Sequence, residues 1–132
     1  MTASRTSTLF LIAALGLAPG LAHAGDSPDK KTGSYLPISG LAATVVRPDG
    51  GHGVMTVDAG VDVPDPTLRN YAEEVQPRLK DAFAQVLQAY AGQLAPGRPP
   101  DADYMARRLQ GAADQVLGRS GARLLLGGVM VN

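Results

Sequence analysis

From Val54 onward the chain keeps a strict period of two. Met55, Val57, Ala59, Val61 and Val63 are apolar, and Thr56, Asp58, Gly60 and Asp62 lie between them. Successive side chains of an extended strand point to opposite sides, so this pattern fits a strand with one buried and one wet face. Just before it stand Pro48-Asp49-Gly50-Gly51-His52-Gly53, whose Asp-Gly and Gly-Gly steps tolerate the positive φ angles of tight hairpins. The preceding segment, Tyr35 to Arg47, is apolar and becomes β-branched through Thr44-Val45-Val46. The two segments are expected to pair as an antiparallel hairpin.

The pattern then changes to steps of three and four. Asp65 is placed to accept orphan N–H groups as an N-cap, and Pro66 needs no N–H at a first helical position. Leu68, Tyr71, Val75, Leu79, Phe83, Val86, Leu87, Tyr90 and Leu94 form an apolar stripe. Pro77 interrupts it without shifting its register, which predicts a kinked helix or two abutting helices, with Gly92 as a C-terminal stop. After the rigid connection Ala95-Pro96-Gly97-Arg98-Pro99-Pro100, Asp101 or Asp103 caps a second helix. Its stripe is Met105, Leu109, Ala112, Ala113, Val116 and Leu117, and Gly118 ends it. Arg123-Leu124-Leu125-Leu126-Gly127-Gly128-Val129-Met130-Val131 is almost free of polarity, as expected of a strand buried on both faces or lying under a helix. The expected fold class is α+β, in the order ββααβ: a small antiparallel sheet made of the N-terminal hairpin and the C-terminal strand, with a long kinked helix and a second helix packed on one face.

The start of the chain has a different character. Arg5 precedes the apolar run Leu9 to Ala18, Pro19-Gly20 breaks it, and Ala22-His23-Ala24 has the small-x-small form of a signal-peptidase site. A spanning helix needs about 20 apolar residues, and this run is shorter. Residues 1–24 are therefore expected to be a cleaved signal peptide and the protein periplasmic; the alternative is an inner-membrane anchor through residues 9–24. Residues 25–34 are polar and aperiodic and read as a flexible leader, which leaves 35–132 as one domain. There is no cysteine, so neither a disulfide nor a lipidated N-terminal cysteine enters the argument.

Charge excludes one class of partner. The chain carries twelve basic and twelve acidic residues, and removing Arg5 with the signal peptide leaves eleven against twelve. Nucleic-acid binders generally need a basic excess, so no nucleic-acid partner is expected.

The chemistry-bearing residues are few. His52 is the only histidine beyond the signal peptide, and no nucleophile elbow or oxyanion-hole motif accompanies it or nearby Asp49, so it reads as an exposed turn residue. One histidine without cysteine cannot supply a zinc site. Asp58 and Asp62 lie about 13 Å apart along a strand at ~3.3 Å per residue, too far to share a calcium ion with Asp65. Gly50-Gly51-His52-Gly53 is followed by a strand, so no helix N-terminus faces an anion as a phosphate loop requires. Arg107-Arg108 reads as the wet face of a helix. No catalytic residue, metal ligand or cofactor site is expected.

Several features occur together in a recognisable order. They are Tyr35-Leu36-Pro37 opening the first strand, Val61-Asp62-Val63-Pro64-Asp65-Pro66 leading into a helix, and the mid-helix proline in Pro77-Arg78-Leu79-Lys80-Asp81-Ala82. Leu109-Gln110-Gly111-Ala112-Ala113-Asp114-Gln115-Val116-Leu117 and the ending Val129-Met130-Val131-Asn132 complete the set. In this the chain resembles the flagellar basal body-associated FliL family over about residues 35–132. The resemblance implies a periplasmic domain similar to the stomatin/prohibitin module, without catalysis. It also implies protein partners in the envelope at the flagellar stator, association of copies into rings, and a role in motility. Members of that family keep an N-terminal transmembrane helix, whereas here the corresponding segment has the form of a cleavable one.

Overall fold

The computed structural model describes residues 33–132; the expected signal peptide lies outside the described residues, as does most of the expected leader. Within them the order is β1 (Tyr35–Val46), β2 (His52–Asp62), α1 (Pro66–Glu74), α2 (Gln76–Gln93), α3 (Ala102–Leu117) and β3 (Arg123–Val131). The strands form one antiparallel sheet in the order β1-β2-β3, with β2 in the centre. The helices cover one face of it, which makes the two-layer α+β arrangement that the alternating and helical periods require.

The inner layer follows from parity. Met55, Val57, Ala59, Val61 and Val63 are all buried, as the alternation of β2 demands. Beside them, Leu36, Ile38, Leu41, Ala43 and Val45 line the inner face of β1. The step from Ile38 to Leu41 is three residues, and a bulge there lets both face inward. Gly40 adopts φ 74° in that bulge, a conformation that only glycine reaches without strain. A matching bulge in β3 separates Leu126 from Val129. Asp58 of β2 therefore faces extra residues on both neighbours, Ser39-Gly40 on one side and Gly127-Gly128 on the other. A Cβ on Gly127 would lie 3.2 Å from the Asp58 Cβ, so glycine there lets the bulged strand approach closely.

The long apolar stripe is carried by two abutting helices rather than one. The N–H of Val75 closes α1 on Tyr71 O (3.0 Å), and its carbonyl opens α2 by accepting from Arg78 and Leu79 (2.9 and 3.0 Å). Pro77 thus falls in the first turn of α2, where an N–H has no intrahelical acceptor and its absence costs nothing. Leu79, Phe83 and Leu87 press onto the sheet from α2, and Met105, Leu109, Ala113 and Leu117 from α3. Asp65 caps α1 through Leu68 N–H (2.9 Å), and Asp101 rather than Asp103 caps α3 through Tyr104 N–H (2.9 Å). Gly118 ends α3 in the left-handed conformation.

Two sequence expectations are corrected and one left open is decided. Gly92 does not stop α2, which runs to Gln93 and ends where Leu94 turns extended ahead of Pro96. Tyr71 belongs to the apolar stripe by spacing yet is exposed, because α1 buries only Leu68 and Ala72. Of the two alternatives for the last strand the second holds: β3 lies under a helix, with α3 against its inner side, and as an edge strand it is not buried on both faces, since nothing among the described residues covers its outer side.

Candidate functional site

The hairpin turn holds its own groups. Arg47 N–H donates to Gly51 O (2.8 Å), Gly50 N–H donates to Arg47 O (2.9 Å), and the Asp49 carboxylate accepts from Gly51 N–H (2.8 Å). Asp49 also lies 3.6 Å from the Arg47 guanidinium, a solvent-exposed pair of little energetic weight. The carboxylate that could have oriented His52 is thus spent on the turn, and His52 is the exposed first residue of β2, opposite Val46.

The other residues singled out by type are dispersed. Asp58 sits between the two bulges; Asp62, further along the same outer face, accepts from the Ser34 hydroxyl; and Asp65 serves the cap of α1 with Arg119 3.8 Å away. Among the described residues no group of three or more His, Asp or Glu side chains could hold a metal ion. Arg107 and Arg108 are exposed on α3, and Arg108 borders a small cleft with Tyr90 and Tyr104. Those two rings stand 5.8 Å apart, and the Tyr90 hydroxyl accepts from Asp101 N–H (2.6 Å). Together the contacts tie the end of α2 to the start of α3.

What the fold does assemble is a side of the sheet that nothing among the described residues covers. The parity that sends Met55 and Val57 inward sends Val54 and Thr56 outward, and the same rule turns Leu125 and Met130 outward from β3. Thr56 is opposite Met130, and Val54 is bonded to Asn132. Met130 is 56% exposed, Val54 49% and Leu125 39%, so aliphatic surface faces solvent next to the polar Thr56 and Asp58. Towards the other end, the Tyr35 ring lies across Gly60, in space that any Cβ at that position would occupy.

The edge of β3, which pairs with no other strand among the described residues, continues this surface. Asn132 and Val54 exchange both backbone bonds, at 3.0 and 3.1 Å. Alternation along an antiparallel ladder then turns the N–H and C=O of Val129 and Val131 away from β2. At the other end, Leu124 N–H donates to the Gln110 Oε1 of α3 (2.8 Å), and the same carboxamide donates through Nε2 to Ala122 O (2.8 Å). Gln110 therefore stands where a further strand would pair, but only at the beginning of β3. Sequence reasoning missed both this cap and the exposed edge. The available signal was Gly127-Gly128, which shifts the parity of the apolar run and sends Leu125 and Met130 to the wet side.

Among the described residues no helix is long and apolar enough to cross a membrane. No protein-family model matches the chain, and no curated protein matches it.

Proposed function

We propose that the protein is a non-enzymatic interaction protein of the cell envelope, exported to the periplasm, with a domain resembling that of FliL and a role in assembly at the flagellar motor. The observation that carries this reading is the outer sheet face, where Val54, Leu125 and Met130 expose aliphatic surface that a folded domain gains by covering. The proposed location follows from the form of residues 1–24, and the motor role from the resemblance of residues 35–132.

Two measurements test the parts separately. N-terminal sequencing of the protein from a periplasmic fraction is expected to begin at Gly25; a cytosolic protein that begins at Met1 would end the envelope reading. Deletion of the gene is expected to impair swimming. Normal motility in the deletion strain would remove the motor role and leave a small exported binding module as the better description.

A further inference from the structure

We propose that β3 pairs with β3 of a second copy of this chain, joining two sheets edge to edge about a two-fold axis between Gly127 and Gly128. The inference does not depend on the envelope reading, because it uses only the strand's geometry.

An exposed strand edge is a template for further pairing unless something blunts it. The edge of β1 is interrupted. Pro37 has no N–H to offer, its carbonyl accepts from Gln76 Nε2 (2.8 Å), and the Lys80 ammonium stands over the Gly40 bulge. On β3 the Gln110 carboxamide reaches only Ala122 and Leu124, and from Leu124 to Val131 there is neither a charge nor a proline.

The order of side chains selects the occupant. Leu124 and Leu126 face inward and Leu125 outward; after the bulge Val129 and Val131 face inward and Met130 outward. Turned end for end about the glycine pair, the strand repeats its own pattern. Leu126 comes opposite Val129 of the second copy and Leu125 opposite its Met130, while Leu124, held by Gln110, lies outside the paired stretch. Every pair is apolar and lies on the same face of the joined sheet. The bonding phase agrees as well, because Leu126 and Val129 both direct their N–H and C=O groups to the free edge. A one-residue slip would set inward side chains against outward ones. A partner strand of unrelated sequence would have to reproduce this pattern, and a second copy carries it already.

The contact is small. The paired stretch, Leu125 to Met130, is about 20 Å long and a sheet edge about 10 Å deep, so each copy covers about 200 Å². Stable interfaces cover about 800 Å² per partner, so the pairing is reversible and shows itself at high concentration.

The test is sedimentation equilibrium of the isolated full chain from about 10 μM to about 1 mM, with amide hydrogen exchange at both ends of that range. The mean mass is expected to rise toward that of a dimer. The Leu126 and Val129 amides should gain protection several-fold with concentration, and the Leu124 amide, already held by Gln110, should not. Val129→Pro removes an N–H that β2 does not use, so it is expected to abolish the mass rise and keep the fold. If that variant does not fold, Leu125→Lys, at an exposed position, serves instead and should weaken association. A constant monomer mass up to 1 mM overturns the proposal, as does association that proceeds without protection of Leu126 and Val129.

Discussion

The two edge strands of this sheet carry similar aliphatic sequences and meet different fates. On β1, Ile38, Leu41 and Val45 lie almost wholly beneath α2, and the edge is broken by a proline, a bulge and a lysine. On β3, Leu124, Leu126 and Val129 are only partly buried, Leu125 and Met130 face solvent, and one glutamine guards the first residues of the edge. Aliphatic content therefore does not determine whether a strand is buried. What determines it is which strand the long helix lies over, and α2 is the longer of the two helices that pack on the sheet.

The largest expected effect separates the inner faces of these strands. Leu41→Ala removes a fully buried side chain and should cost about 2–5 kcal/mol in denaturant unfolding. Leu126→Ala, at a partly buried position, should cost about 1–2 kcal/mol, since solvent and neighbours can fill the space. Equal losses would mean that β3 is as well covered as β1.

The two glutamine caps give a smaller contrast. Gln110 bonds Ala122 O and Leu124 N–H and also donates to Asp114 Oδ1 (3.0 Å), all in partly buried surroundings. Gln110→Ala is expected to cost about 1–3 kcal/mol and to speed hydrogen exchange at Leu124. Gln76→Ala loses one exposed bond to Pro37 and should cost about 0.5–1 kcal/mol. The smallest effect tests the helix beside β3. A Cβ on Gly111 meets nothing within 4 Å, so Gly111→Ala should stabilise the protein by about 0.5–1 kcal/mol, read as a raised thermal midpoint.

The hairpin, the α+β class, the Asp65 cap and the Gly118 stop could all be read from the sequence, because each rests on local chemistry: alternation, a side-chain acceptor, a left-handed glycine. The inward set of β2 was legible in full. The two bulges were not, since Ser39-Gly40 and Gly127-Gly128 read as ordinary small residues until the neighbouring strand shows that both lie opposite Asp58. That omission hid the outward placement of Leu125 and Met130, and with it the uncovered face. Long-range bonds such as those of Gln110 leave no local pattern at all: the glutamine sits in a helix, and its partners lie at and just beyond a turn, more than ten residues on.

The most direct test of whether the uncovered side of the sheet is the working surface is photo-crosslinking in the producing cell. A photoreactive residue is placed at Met130 on β3 and, for comparison, at Gln88, which is exposed on the far side of α2 from the sheet. The expected result is a higher-mass adduct from position 130 and none from position 88. Adducts from position 88 with none from position 130 would contradict it, and would place the contact surface on the helical layer.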